Sequence, residues 1–403
     1  MHLTTRAVGA TLLVLAVQPP DRLAAQDHLA TARRILRTTP LVDGHNDLPF
    51  AARERGGLDS LDLTRGEPEL HTDIPRLRAG GVGAQFWAAY VPVSSMDPAD
   101  PDFGPATYAL EQIDVVHRLC HRHAAVLAPA VTAADVERNF AAGKISCLIG
   151  IEGGHAIENS LGALRMFYRL GVRYMTLTHW RTLEWVDAAT DTARHGGLTA
   201  FGEDVVREMN RLGMLVDLSH VSDATMLDAL RVTRAPVMYS HSSARAIAGH
   251  VRNVPDSILR LLPANGGVVM VAFVPAFISE EVRLSDERRN ARVDSLRAAG
   301  VDSLAIRDSL QVWAVDAPRA TLSQVADHIE HVRRVAGVDH VGLGSDFDGI
   351  STVPVGLEDV ATFPYLIAEL LRRGWREDEV RKVVGLNALR VMREVERVAR
   401  EMR

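Results

Sequence analysis

The sequence predicts an α/β fold, a (β/α)8 TIM-like barrel, and two observations support this prediction. Eight short apolar runs alternate with segments of helical periodicity along the chain, which is the order that builds a parallel sheet from strand-helix units. Six of these runs end in a histidine or a carboxylate. Six strand ends contribute to one site only when the sheet closes into a ring. A doubly wound open sheet is the alternative.

The predicted strands are spread over the whole chain after its first 25 residues. Helix signals lie between them, such as the apolar spacing from Phe201 to Met209, after which Gly213 predicts the helix end. A further helix is expected to start near Ser323. The eight predicted strands are Pro40–Gly44, Gly83–Tyr90, Ser146–Ile151, Tyr174–Thr178, Met214–Leu218, Pro236–Ser240, Gly267–Phe273 and His340–Gly344.

One segment, residues 276–319, interrupts the alternation. It is charged and rich in Arg, Asp and Ser, and residues 286–310 have helical spacing with few large apolar side chains. We expect a surface insertion near the barrel mouth, either a lid or oligomer contact or simply a solvated helical excursion. Residues 26–403 are otherwise expected to form a single barrel domain.

The first 25 residues have the pattern of a secretory signal peptide. Arg6 supplies the positive charge, Ala10–Val17 the apolar stretch and Leu23–Ala25 the small-residue end. The apolar stretch is too short to span a bilayer, and Pro19 and Pro20 close it. We therefore expect a protein exported to the periplasm or secreted, without a stable membrane anchor.

Charge and cysteine content restrict the partners and the chemistry. The chain has 45 basic and 51 acidic residues, interspersed, with a net charge of -6, and this balance gives no indication of a nucleic-acid partner. Cys120 and Cys147 are its two cysteines. In an exported protein they form either a disulfide or two buried free thiols, and we favour the thiols.

The first predicted strand ends in two metal-type ligands, His45 and Asp47, on either side of Asn46. Residues two apart in an extended strand point to the same side, so both side chains are able to bind one ion. Taken alone, such a pair is more often a capped strand end than a metal site. The strand ends described next are what favour a metal site here.

Glu152 closes the apolar run Leu148–Ile151 and precedes Gly153 and Gly154. Its two carboxylate oxygens are able to bridge two cations. An ion pair with an arginine is the alternative, but a carboxylate at an apolar strand end is costly unless it is paired or metal-bound.

Four more strand ends carry site-type residues. His220 and His241 end two neighbouring runs at equivalent positions, and zinc is well matched to such a pair. A hydrogen-bonded structural role is the alternative for each, but their repetition favours ligands. His179 and Asp346 end two further runs and serve either as ligands or as electrophile and general acid/base for a metal-bound hydroxide.

Seven motifs follow one another along the chain: Asp43–Pro49, Ile151–His155, Leu177–His179, Asp217–Ser222, Ser240–Ala244, Arg252–Asp256 and Ser345–Gly349. Together they closely resemble those of the membrane (renal-type) dipeptidases, zinc peptidases of the amidohydrolase superfamily. The resemblance runs from about residue 30 to the end and is interrupted mainly by the charged insertion. It implies a barrel of the metal-dependent amidohydrolase type.

The resemblance also implies a metal centre of two zinc ions per chain. His45 and Asp47 would bind one zinc, His220 and His241 the other, and Glu152 would bridge them. A hydroxide shared by two cations is nucleophilic near neutral pH, so the implied reaction is its attack on the scissile carbonyl of a dipeptide.

Three other residues would recognise and process that substrate. His179 would contact the substrate and stabilise the developing oxyanion, and Arg252 would pair with the terminal carboxylate of the dipeptide. Asp346 would contact the substrate. It would also take the proton of the nucleophile and return it to the leaving amine. The implied partners are small-molecule dipeptides, and a homodimer is a further expectation.

The chain departs from the family pattern after His179. The stretch Trp180–Asp187 differs from the mammalian relatives and lacks a cysteine that forms a disulfide there. This loop should border the substrate, so the resemblance does not indicate which substrate side chains are preferred. We also expect no counterpart of the mammalian lipid anchor.

Two other functions fit the same residues. The first is a related metal-dependent amidohydrolase that acts on β-lactams, acylated amino acids or lactones, because one fold hosts many chemistries. A substrate without a carboxylate would tolerate Arg252→Ala. The second is an exported metal- or peptide-binding protein, which would bind zinc without turnover.

Overall fold

The structure is a computed structural model that describes residues 20–307, 310 and 317–402. Its centre is a sheet of parallel strands, most of them buried on both faces, as expected when helices cover the outside. The strands are β1 (Leu41–Asn46), β2 (Val82–Tyr90), β3 (Leu127–Pro129), β4 (Ile145–Glu152), β5 (Val172–Thr176), β6 (Leu215–Asp217), β7 (Met238–Tyr239), β8 (Val268–Val271) and β9 (Val341–Leu343).

Eight of these strands close into a ring. The pairing order around it is β1, β2, β4, β5, β6, β7, β8 and β9, and β9 pairs with β1 again. The predicted (β/α)8 barrel is therefore confirmed, and the open sheet is excluded. Each of the eight predicted strands overlaps one strand of the ring. The ninth strand, β3, was not predicted. It pairs with Ile145 to Cys147 at the start of β4, whereas β5 pairs with β4 from Ile149 onward.

Helices follow the strands along the chain and surround the ring. The α-helices are Pro20–Leu36, Leu48–Glu54, Ile74–Ala79, Pro105–Arg122, Ala133–Ala141, Leu161–Arg169, Ala200–Leu212, Asp223–Val232, Asp256–Leu259, Leu262–Asn265, Pro275–Ile278, Glu280–Ala298, Leu322–Ala336, Phe363–Arg372, Glu377–Arg381 and Asn387–Glu401. A π-helical turn, Lys382–Leu386, joins the last two, and short 3-10 turns lie at Leu58–Ser60, Val93–Met96, Gly154–Ile157, Val338–His340 and Val360–Thr362.

The helix boundaries follow from local chemistry. The Thr199 side chain accepts a hydrogen bond from the third residue of its helix, and Gly213 ends that helix with φ +89°. A left-handed residue after the last turn favours glycine, which confirms the predicted stop. Thr321 and Gln324 form a reciprocal capping box at the start of the helix expected near Ser323.

The inside of the barrel is tightly packed by large side chains that lie against glycines. A Cβ atom on Gly150 would lie 2.0 Å from the ring of Tyr174, and one on Gly344 would lie 1.9 Å from the carbonyl oxygen of Ser240. Because real Cβ atoms do not approach so closely, these positions admit only glycine without a shift of their neighbours. Tyr174 therefore occupies a space that Gly150 leaves free.

The described part of the charged insertion is largely helical, in agreement with the helical spacing of its sequence. Its main element is the helix Glu280–Ala298, and residues 303–307 form a further helical turn. The insertion begins two residues after Val274 and includes Phe277, and both of these residues line the pocket at the barrel mouth. Its role as a lid or oligomer contact stays a prediction, as do the homodimer and the single-domain boundaries.

The predicted export signal, residues 1–25, lies mostly outside the described residues, so it stays a prediction. Within the part of the chain that the structure describes, no helix is both long enough and apolar enough to cross a membrane.

Candidate metal centre and substrate pocket

The predicted site residues lie together at one mouth of the barrel, where the carboxyl ends of the strands meet. His45 lies within β1, and Glu152 is the last residue of β4. His220 and His241 follow β6 and β7. All four are almost completely buried, with exposed fractions of 4% or less. Ring closure has thus brought together residues that are far apart in the sequence.

Glu152 lies between two groups of nitrogen donors. Its Oε2 is 3.5 Å from Nε2 of His45, whereas its Oε1 is 3.0 Å from Nε2 of His220 and 3.2 Å from Nε2 of His241. Nε2 of His45 is also 3.2 Å from Oδ2 of Asp47. Each carboxylate oxygen therefore faces a different set of donors, which is the arrangement that a bridging carboxylate requires.

The donor atoms fit metal ions better than they fit one another. Nε2 of His220 and Nε2 of His241 are only 3.0 Å apart, and Nε2 of His45 has no hydrogen-bond partner among the described residues. Buried polar atoms without partners are rare, and a bound metal ion would satisfy this nitrogen. The nitrogen and carboxylate donors suit zinc and similar divalent metals. Three ligand groups with donor atoms within 4.8 Å of one another are His45/Glu152/His241, Glu152/His179/His220 and His45/Asp47/Asp346.

Two of the imidazoles are oriented by hydrogen bonds at their other nitrogen. Nδ1 of His45 lies 2.8 Å from the Tyr174 hydroxyl, and Nδ1 of His241 lies 2.8 Å from Oγ of Ser240. Ser240 donates in turn to Oδ2 of Asp217 at 2.6 Å, so its oxygen is free to accept the N–H of His241. A proton on Nδ1 leaves the Nε2 lone pair facing the ligand cluster.

The electrostatics of the cluster favour an ionised Glu152 beside neutral His220 and His241. At His45, burial opposes ionisation, but Tyr174, Glu152 and Asp47 raise its pKa well above the ordinary value. Burial alone would raise the pKa of Glu152, but the charges of His45 and His179 and hydrogen bonds from His220 and His241 hold that pKa well below its ordinary value. Burial, helped by the charge of Arg252, lowers the pKa of both His220 and His241 well below the ordinary range. Metal binding needs these protonation states.

His179 and Asp346 lie at the edge of the cluster. Nε2 of His179 is 3.8 Å from Oε1 of Glu152, and burial lowers the pKa of His179 to about 3. Oδ1 of Asp346 is 3.9 Å from Nε2 of His45. Desolvation and the negative charges of Asp47 and Glu152 raise the pKa of Asp346 well above its ordinary value, despite the opposing effect of His45.

The backbone at two site residues has the left-handed conformation. His220 has φ +71° and Asp346 has φ +65°, which is uncommon for residues other than glycine and is found at functional sites. The sharp turn after each short strand aims the side chain toward the barrel axis. Gly349 lies directly beside Asp47. A Cβ atom at position 349 would lie 2.3 Å from Oδ2 of Asp47, so a larger residue would displace that carboxylate.

A pocket of about 300 Å³ opens in front of the cluster. Arg252 is among the residues that line it: the side chain is 2% exposed, and NH2 donates to the carbonyl oxygen of His241 at 3.4 Å. Burial lowers the pKa of Arg252 to about 10, so the guanidinium stays charged at neutral pH. Its Nε lacks a partner among the described residues. The apolar part of the lining consists of Phe50, Tyr90, Trp180, Val274, Phe277 and Ile350.

Comparison with known proteins agrees with this geometry. The model of the membrane dipeptidase family, peptidase family M19, matches residues 29–403. The chain belongs to this family. The M19 assignment covers almost the whole barrel and makes the protein a metal-dependent dipeptidase.

Solved structures of three peptidases or probable peptidases resemble this M19 chain along most of its length. Dipeptidase AC, a metallopeptidase, is 28% identical, with a TM-score of 0.71 over 89% of this chain and 98% of its own. A metallopeptidase from Rhodobacter sphaeroides, solved with a phosphinate mimic of L-Ala-D-Ala, is 28% identical, with a TM-score of 0.69 over 89% and 99% of the two chains. The probable dipeptidase PvdM from Pseudomonas aeruginosa is 22% identical, with a TM-score of 0.80 over 93% and 100%, and shows the fold.

All eight site residues singled out in the sequence of this M19 dipeptidase meet at the pocket or directly beneath it. The residues that orient the imidazoles were less evident. Asp43 lies two residues before His45 but accepts hydrogen bonds from the backbone and hydroxyl of Ser345, not from an imidazole. Asp217 acts on His241 through Ser240, and Tyr174 was missed entirely.

Proposed function

We propose that this M19 enzyme is a dizinc dipeptidase that hydrolyses free dipeptides. His45 and Asp47 hold one zinc ion, His220 and His241 hold the other, and Glu152 bridges them. The distances from the two oxygens of Glu152 to three imidazole nitrogens, all 3.5 Å or less, support this assignment. When bound, the two ions would activate a water molecule for attack and polarise the scissile carbonyl.

The observation that carries the substrate assignment is the buried guanidinium of Arg252 in the lining of a small pocket. It forms no ion pair with a carboxylate among the described residues, and a planar guanidinium is well suited to bind a carboxylate through two hydrogen bonds. The pocket volume of about 300 Å³ lies at the lower end of the usual range for ligand sites, roughly 300–1,000 Å³. Binding to Arg252 in a pocket of this size therefore restricts the substrate to a short peptide with a free C-terminal carboxylate.

His179 and Asp346 handle charge and protons during hydrolysis. With a pKa of about 3, His179 is neutral and able to donate an N–H hydrogen bond to the oxyanion that forms at the scissile carbonyl. Asp346 accepts the proton of the attacking water and returns it to the leaving amine. Oδ1 of Asp346 lies 3.9 Å from Nε2 of His45, so the carboxyl group is close enough to the proposed metal centre to exchange a proton with the attacking water.

A substrate panel tests the proposal. The zinc-loaded protein is assayed with a free dipeptide, the matching tripeptide, the N-acetyl dipeptide and the dipeptide amide. We expect hydrolysis of the free dipeptide and strongly reduced rates for the amide, whose terminus lacks the charge that Arg252 binds. Amidated or acylated substrates that are cleaved as fast as free dipeptides would contradict the proposal and favour the broader amidohydrolase alternative.

A further inference from the structure

Trp180 is a large apolar side chain that remains exposed at the mouth of the substrate pocket. Its exposed fraction is 46%, although it directly follows the buried His179. Its ring lines the pocket, 4.8 Å from the His179 ring and 5.2 Å from the His220 ring between centroids. An exposed tryptophan inside a binding pocket indicates a surface that a ligand covers.

The position of Trp180 relative to Arg252 indicates which part of the ligand covers the Trp180 ring. The guanidinium carbon of Arg252 lies 5.9 Å from the centre of the Trp180 ring and 5.1 Å from the centre of the Phe277 ring. The two aromatic rings therefore flank the group that, in the proposed function, binds the terminal carboxylate. They also hold the guanidinium in place through cation–π contacts.

The C-terminal residue of a dipeptide is anchored at both ends. Its carboxylate lies on Arg252, and its amide nitrogen belongs to the scissile bond at the metal centre, where His220 is a ligand. Trp180 contacts both anchors, so its ring runs beside the space between them. The side chain of the C-terminal residue leaves the peptide backbone from this space and meets an apolar wall.

We propose that Trp180 is a specificity-determining residue that selects dipeptides with a large apolar side chain on the C-terminal residue. This inference rests on the proposed dipeptidase function. The N-terminal residue of the substrate lies on the other side of the scissile bond from the residue that is anchored between Arg252 and the metal centre. The selection therefore concerns only the C-terminal position.

The test compares two substrates that differ only at that position, L-Ala-L-Leu and L-Ala-Gly. The wild-type protein is expected to prefer L-Ala-L-Leu in kcat/KM. Trp180→Ala is expected to reduce this preference at least about tenfold, the discrimination that even a small change in an apolar pocket produces. The change should lie mainly in KM, because the side-chain contact exists in the ground state as well as in the transition state.

Two further variants make the test specific. Trp180→Phe keeps a smaller aromatic wall and should give an intermediate preference, which also covers the case in which the alanine variant fails to fold. Tyr365→Ala removes an aromatic side chain of similar exposure, 48%, on the helix Phe363–Arg372 and away from the pocket. It should leave the preference unchanged. Zinc content, measured by mass spectrometry, reports whether the metal centre is intact in each variant.

The possible failures can be told apart. If the wild type hydrolyses neither dipeptide, the proposed function and this inference fail together. If the wild type is active but Trp180→Ala and Trp180→Phe keep its preference, the inference alone is overturned. Equal losses for both substrates, or a loss of zinc, also overturn it, because Trp180 then acts by holding His179 and His220 in position.

Discussion

The hydroxyl of Tyr174 lies 2.8 Å from Nδ1 of His45, inside the barrel and beneath the ligand cluster. Nε2 of the same imidazole faces Asp47 and Glu152. The hydroxyl therefore accepts the Nδ1 proton, and the lone pair on Nε2 is left for a metal ion. Gly150 makes the contact possible, because any larger residue would displace the Tyr174 ring.

Tyr174→Phe should weaken metal binding at the His45 and Asp47 site by about 10–100-fold, because the imidazole loses the partner that selects its tautomer. The measurement is zinc affinity in competition with a chelator. Tyr239→Phe is the matched control, since Tyr239 is equally buried but its hydroxyl has no partner among the described residues. Equal affinities in the two variants would contradict the orienting role of Tyr174.

Asp346→Asn should retain zinc but lose hydrolysis, because the amide neither accepts nor returns the proton of the nucleophile. We expect a fall in kcat of at least about 100-fold. Asp348→Asn is the control: Asp348 has the same left-handed backbone but accepts a hydrogen bond from the amide of His71. An active Asp346→Asn enzyme would show that another group transfers the proton.

Arg252→Ala should reduce kcat/KM for free dipeptides by at least about 30-fold, since a buried charge pair with one partner removed typically costs about 2–5 kcal/mol. The loss should be much smaller for the dipeptide amide, which cannot form the pair. The measurement is the ratio of kcat/KM for the two substrates in the wild type and the variant. An unchanged ratio would indicate that Arg252 does not bind the carboxylate.

His328 makes the folded protein sensitive to acid. Its Nδ1 accepts from the amide of Ala244, its Nε2 faces the carbonyl oxygen of Ile278 at 3.1 Å, and burial lowers its pKa to about 4. As the pH falls from about 6.5 to 4, the unfolded chain takes up a proton here that the folded protein does not. The free energy of unfolding therefore falls, by about 3 kcal/mol for this group.

The measurement is chemical denaturation of the wild type and His328→Gln at several pH values in this window. Glutamine keeps one acceptor and one donor but does not titrate. The variant should show a decline that is smaller by about 3 kcal/mol. Parallel declines in the two proteins would contradict this contribution.

Cys120 and Cys147 are free, buried and in hydrogen-bond contact, and burial raises the pKa of Cys147 well above its ordinary value. Neither thiol should react with a thiol reagent in the native protein, because the thiolate is the reactive form. Both should react after unfolding in denaturant. Failure to detect two thiols after unfolding without reductant would instead indicate a disulfide.

The strand ends could be predicted from the sequence because their signal is local. An apolar run that stops at Glu152 or His241 shows both the strand and the residue that it presents at the barrel mouth. The strand Leu127–Pro129 was missed, since three residues are too few for a recognisable pattern and it depends on pairing with β4. The observed β7 is similarly short, Met238–Tyr239, but the histidine that follows it drew attention to the position.

Tyr174 and Ser240 could not be recognised as orienting residues from the sequence. Tyr174 precedes no turn and carries no motif, and its partner His45 lies 129 positions away. The hydroxyl of Ser240 is one of many, and only the contact with Asp217 shows that it accepts the proton of His241. Such roles depend on which side chains share the barrel interior.

By itself the sequence determined the ring of strand-helix units and the residue types at the strand ends, because hydrophobic periodicity and ligand chemistry are properties of the local chain. Only the tertiary structure decided which oxygen of Glu152 faces which imidazole, and that the exposed ring of Trp180 lies against Arg252. These relationships arise when the barrel closes. Closure brings strands that are distant in sequence to within a few ångströms, and no local pattern encodes the resulting distances.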